Sequence, residues 1–249
     1  MEARSRGIDI GRVIGEAFSL YGAQAATLLG VAAVVIGIPA LIQGVLSISG
    51  DPFLFFLVSV ISIVAGVLYT GFVVKLVEDV RDGRRDSSVG ELLSAAAPFI
   101  GTLFLNGILY GLAVGIGLVL LIVPGLILLT IWAVTAPAIV SEGRGPIEAF
   151  GRSRELVRGN GWSVFAVIVV TFLITIVISG VIAAIGAALG DAGSVIFRFL
   201  GSVIAAPIGA LVSAVLFFDL GGGGAAAATA TPATTPPPPP PAPPQGPAA

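Results

Sequence analysis

From residue 92 to residue 140 the chain runs for 49 residues without one Asp, Glu, Lys or Arg. A water-soluble domain has no place for such a segment, because its surface must be wetted and about a quarter of its residues are charged. Here 10% are charged, 56% are hydrophobic and the mean hydropathy is +1.08. An ordinary soluble globule is therefore excluded. A bilayer core is ~30 Å thick and a helix rises ~1.5 Å per residue, so one crossing takes about 20 apolar residues. The uncharged segment holds two crossings. It reads as a hairpin with spans at about 98–117 and 120–140 and a turn between Gly115 and Gly125.

Further apolar stretches lie at 23–46, 53–77, 162–189 and 194–218, which makes six spans. The runs are apolar all round, as lipid-embedded helices must be, since the bilayer offers their backbones no water. No ten-residue alternation of apolar and polar residues suggests a barrel. The first run is about 24 residues against the 7–15 of a signal-peptide core, so its retention is expected. The expected fold class is an all-α polytopic membrane helical bundle with short amphipathic interfacial helices. Its parts are an N-terminal amphipathic segment at 1–22, a membrane domain at 23–220 and a disordered Ala/Pro-rich tail at 221–249. The tail lacks core-forming side chains and suits a polyproline II spacer.

Basic residues orient this bundle. Arg4, Arg6 and Arg12 precede the first span; Lys75, Arg81, Arg84 and Arg85 separate the second and third. Arg144, Arg152, Arg154 and Arg158 separate the fourth and fifth, and the opposite connections carry no basic residue. Short basic loops stay on the cytoplasmic side. Both termini are accordingly expected in the cytoplasm, with the chain multi-pass in the inner membrane. Arginine outnumbers lysine 11 to 1, which suits a GC-rich bacterial source.

Each basic segment leads into its next span through a short amphipathic pattern, at 10–20, 89–97 and 146–157. The first places Ile10, Val13, Ile14, Ala17 and Leu20 at helical spacing. In the second, Ser88 and Glu91 have the spacing of a capping box. The third opens with Pro146, suited to a first helical turn, and aligns Ile147, Phe150 and Val157. The strings Glu16-Ala-Phe-Ser, Glu91-Leu-Leu-Ser and Glu148-Ala-Phe-Gly rhyme, a weak threefold repeat of interfacial helix plus hairpin. Such helices either shape the cytoplasmic leaflet or merely seat the hairpins.

The order of motifs between Pro124 and Trp162 is the most specific signal. Pro124-Gly125 is followed by an apolar run with Trp132 and by Ala136-Pro-Ala-Ile-Val-Ser-Glu142. Then come Ala149-Phe-Gly-Arg-Ser-Arg-Glu-Leu-Val-Arg-Gly159 and Trp162. This resembles the membrane domain found beside some glycerophosphoryl diester phosphodiesterases, and so do Ile14-Gly-Glu-Ala-Phe-Ser-Leu-Tyr21 and Leu216-Phe-Phe-Asp-Leu220. The resemblance covers residues 8–220 and implies a six-helix bacterial membrane protein of undefined role, without the catalytic barrel. That barrel depends on histidine, and the sequence has neither histidine nor cysteine. The family pattern continues past Asp219-Leu220 with basic residues, where this chain has four glycines.

No carboxylate pair, Ser/Lys dyad, acidic metal cluster or phosphate loop marks the spans, so no enzyme, metal or cofactor is expected. A net charge of −2 gives no case for nucleic acid. Arg152, Ser153, Arg154 and Arg158 are the candidate contacts for lipid or a partner, each arginine attracting anionic lipid at ~1 kcal/mol. Topology determination explains the same residues. Asn106 and Arg198 are candidate intramembrane polar groups, which are functional suspects by default. Arg198 also has a structural reading, reaching the headgroups and pairing with Asp191. Gly107, Gly111 and Gly115, with Gly201, Ala205, Gly209 and Ser213, form small-residue ridges suited to close helix packing. Pro39, Pro137 and Pro207 are candidate kinks.

The function expected is a scaffold or regulator at the cytoplasmic membrane, touching lipid headgroups. The alternative is a small-solute or lipid transporter, whose water-filled cavity would gather Asn106, Thr102, Gln43 or Thr175. Partners expected are membrane lipids, with a second copy of the chain or another membrane protein as further candidates.

Overall fold

The computed structural model describes residues 8–49, 51–83 and 87–221. Arg4, Arg6, Arg84, Arg85 and all but the first residue of the expected tail lie outside them. The described residues are helical, with no strand among them. The chain forms an all-α polytopic bundle with six helices long and apolar enough to cross a membrane. These run over Ala25–Ser47, Pro52–Arg81, Val89–Leu120, Ile122–Glu142, Gly161–Ala188 and Gly190–Asp219.

The elements in order are α1 (Ile10–Ala23), α2 (Ala25–Ala32), α3 (Ile38–Ser49), α4 (Pro52–Arg81), α5 (Val89–Ala96) and α6 (Ile100–Leu120). They continue as α7 (Ile122–Ile131), α8 (Thr135–Glu142), α9 (Glu148–Val157), α10 (Gly161–Ala188) and α11 (Gly190–Asp219). A π-helical turn, Ala33–Gly37, joins α2 to α3. It lies just ahead of Pro39, which has no N–H to offer a carbonyl four residues back, so the widened turn absorbs the defect. Pro207 is accommodated inside an unbroken α11. Pro137 stands in the first turn of α8, where a missing N–H leaves no partner unserved.

Two starts follow directly from sequence chemistry. The Asp51 carboxylate accepts from the backbone N–H of Phe53 and Leu54 at 3.0 Å each, with Pro52 opening α4. Ser88 and Glu91 form the expected capping box at α5. The hairpin turn falls at Leu121, one extended residue between α6 and α7. Helices this close require glycine: a Cβ on Gly125 would collide with the Leu118 side chain and backbone.

α11 is the axis, packing against α1, α2, α3, α4, α8 and α10. Its buried Leu211 to Phe217 face meets Tyr69, Phe72, Val73 and Val77 of α4 and Val134, Ala138, Ile139 and Val140 around α8. The three amphipathic helices form where expected, but their apolar sides meet protein. Val13 and Ala17, Leu92 and Ala96, and Ala149, Ser153 and Val157 are all buried. This corrects two details of the third helix. Pro146 lies in the turn before α9, and Ile147 is 74% exposed, so the inward stripe is the i, i+4, i+8 series from Ala149.

The ridges also need correction. A Cβ on Gly107, Gly111, Gly115 or Gly209 would meet no atom within 4 Å, whereas one on Gly201 would lie 3.3 Å from Ile182. The tightest approaches fall at Gly37, where a Cβ would collide with Phe199 of α11, and at the hairpin tips, where Gly117 meets Gly125 and Gly186 meets Gly193.

Candidate functional site

The richest polar structure surrounds α9. Glu142 ends α8 with its side chain only 2% exposed. Arg152 grips it: Nε donates to Oε2 at 2.8 Å and to Oε1 at 3.0 Å, and Nη2 donates to Oε1 at 2.8 Å. Arg144 Nε adds a bond to Oε2 at 3.2 Å. A two-pronged guanidinium–carboxylate contact of this kind is short and directional. The hydrogen bonds from Arg152 to Glu142 raise the arginine pKa above its ordinary value, so the pair keeps its cation at every working pH.

Ser153 is fully buried, and its hydroxyl joins both sides of the break between α7 and α8. Oγ donates to the Ile131 carbonyl at 2.9 Å and accepts from the Val134 N–H at 3.2 Å. Those backbone groups lack helical partners because the helix is interrupted there. Phe150 packs tilted against Trp132 at 4.5 Å between ring centroids, and Trp132 lies 6.3 Å from Tyr110. Asn106 Nδ2 donates to the Pro146 carbonyl at 2.8 Å, tying α6 to the turn before α9.

The sequence-predicted group therefore divides. Arg152 and Ser153 point inward and hold α9 in place; Ser153 presents nothing to lipid. Arg154 and Arg158 remain exposed, form no ion pair among the described residues and border a cavity of about 610 Å³. Arg198 lies two turns into α11, exposed and without an ion pair among the described residues. The expected Asp191 partner is seven residues back, about 10 Å along the helix, and the two do not meet.

Nor do the candidate transport residues converge. Asn106 borders a cavity of about 450 Å³ with Thr70, Tyr110 and Thr135. Gln43 Nε2 donates to Ser62 Oγ at 2.9 Å and to Ser59 Oγ at 3.4 Å, between α3 and α4. Thr175 donates to the Thr171 carbonyl in its own helix and borders a separate cavity of about 280 Å³.

A second charged cluster escapes sequence reasoning. Asp219, 5% exposed at the end of α11, lies 3.0 Å from Arg12 Nη2 and 3.3 Å from Arg81 Nη2, and Arg81 also pairs with Glu16. Arg81 stands over the Phe218 ring at 5.1 Å from its centroid. Its local physical signal in the sequence is an acid closing an apolar span, a position where the helix dipole asks for a cation. Among the described residues no group of three or more Asp or Glu is placed to hold a metal.

Bundle, apolar spans and structural polar clamps define a multi-pass integral membrane protein. The chain is similar to a UPF0259 membrane protein of Pectobacterium carotovorum, 31% identical over 112 residues, or 45% of this chain and 44% of the relative. It thus spans less than half the length of the curated relative it matches. The likeness suggests an uncharacterised bacterial membrane family and carries no catalytic class. No protein-family model matches the chain, and no solved structure matches it significantly.

Proposed function

We propose that the chain is a non-enzymatic scaffold or regulator of the bacterial cytoplasmic membrane, with both termini in the cytoplasm. Its membrane design is the one suggested by the resemblance to the domain beside glycerophosphoryl diester phosphodiesterases. The α9 connection is the face it offers to lipid headgroups and to a membrane partner or a second copy. The observation that carries this reading is the employment of the intramembrane polar groups. Asn106, Gln43 and Thr175 each serve a hydrogen bond within the bundle, at separate places. A transport pathway would bring such groups to one cavity near the midplane. The basic loops support the orientation by the positive-inside rule.

A transporter is the second reading, favoured by the cavity beside Asn106. Uptake of labelled solutes into vesicles holding the full chain separates the two. The scaffold reading expects no solute to enter faster than into protein-free vesicles, for wild type and Asn106→Leu alike. Uptake by wild type that Asn106→Leu abolishes replaces it with transport.

A further inference from the structure

Two cavities adjoin where α9 hands the chain to α10. One, of about 570 Å³, lies between α7 and the start of α10 and is walled by Leu126, Ile127, Trp162 and Phe165. The other is the 610 Å³ space carrying Arg154, Glu155 and Arg158. Ile131, Gly159 and Gly161 border both. Gly159 has φ +88°, a left-handed turn that leads the chain from the end of α9 into the start of α10. Asn160, the N-cap of α10, makes no side-chain capping bond to its leading N–H groups.

The charge at the polar end is unspent. Arg144 and Arg152 are engaged by Glu142, while Arg154 and Arg158 stand one helical turn apart with no ion pair among the described residues. Glu155, the acid at the same rim, leans toward Arg152 at 3.7 Å. At the other end the apolar wall is open, with Trp162 86% and Ile127 53% exposed. Tryptophan favours the level where headgroups meet hydrocarbon. A free phosphate would use only the basic half, and a hydrocarbon only the apolar half. An anionic amphiphile complements both.

We propose that this groove holds one anionic glycerophospholipid, its phosphate between Arg154 and Arg158 and one acyl chain along Leu126, Ile127, Trp162 and Phe165. The inference rests on the scaffold reading, in which α9 faces headgroups, and it specifies the lipid class and the seat.

The full chain, purified in mild detergent and offered equal palmitoyl-oleoyl phosphatidylglycerol and phosphatidylcholine, is read by native mass spectrometry. One phosphatidylglycerol per protein is retained in preference to phosphatidylcholine. Retention falls about fivefold for Arg154→Gln or Arg158→Gln. Ile127→Trp, which fills the apolar half without changing charge, also loses it. Arg198→Gln, which removes an exposed arginine elsewhere, retains it, and soluble glycerol phosphate does not displace it. Equal retention of both lipids overturns the proposal. So does lipid held undiminished by Ile127→Trp, equal loss in Arg198→Gln, or displacement by glycerol phosphate. A chain that ignores phosphatidylglycerol yet passes no solute loses the groove and keeps the scaffold reading. Solute uptake abolished by Asn106→Leu removes the scaffold reading, whatever lipid is bound.

Discussion

The two ends of α4 belong to one helix and live in different surroundings. Tyr69, Phe72, Val73, Val74, Leu76 and Val77 are buried against α11, α8 and their neighbours. Phe53, Leu54, Phe55, Phe56 and Leu57, at its start, are 42% to 72% exposed. α11 repeats the contrast, with Leu211, Val212 and Ala214 to Phe217 buried while Ile196 is 54% exposed. The hairpin tip at Val119 to Val123 is open as well. The bundle is closed at the end that carries its charged clamps and splayed at the other. Apolar side chains line both ends, because lipid tails and a protein interior are equally oily. What separates them is the fit of side chain to side chain.

The strongest attack on that contrast is a matched pair of truncations. Phe72→Ala is expected to cost about 3–5 kcal/mol by opening a cavity in the packed end. Phe56→Ala, 66% exposed, changes stability by less than about 0.5 kcal/mol. Reversible unfolding in mixed micelles measures both, and equal losses would dissolve the distinction.

Glu142→Gln comes next. It strips the carboxylate from Arg144 and Arg152, and breaking a buried pair from one side costs about 3 kcal/mol. Freed of its seat, α9 should lose hydrogen-exchange protection before α4 does. Simultaneous loss in both would show that the clamp serves the whole bundle.

The smallest effect sharpens the open side. Gly111→Ala touches nothing within 4 Å, so stability holds or rises by up to about 1 kcal/mol through helix propensity. The particle mass by light scattering stays the same. A fall in mass would place the Gly107–Gly111–Gly115 ridge between two copies.

What was legible in the sequence follows from these same forces. Six spans, the three amphipathic helices and the Ser88–Glu91 box depend on length, period and local hydrogen bonds, all visible in order along the chain. The buried face of each span was not, because helices that are apolar all round lose the periodicity that marks a core in water. Small residues proved a poor guide for the same reason: Gly111 and Gly117 look alike in sequence, and only the second meets another helix. Of the candidate site, the cluster from Arg152 to Arg158 was legible as basic. That Arg152 would turn to Glu142 and Ser153 to the α7–α8 break was not, since both depend on where α9 docks. Asp219 meets residues 207 and 138 positions away, which no local pattern reports.

That last contact orders biogenesis. Arg12 and Arg81 are made early by the ribosome, and the carboxylate they share arrives only with the sixth crossing. Until then α1 has no Asp219 to seize and no α11 to lie against. The latch on the first helix shuts when the sixth segment is threaded into the bilayer, so a chain stalled short of it leaves the translocon with its opening helix held by the Glu16–Arg81 pair and without the Asp219 tie.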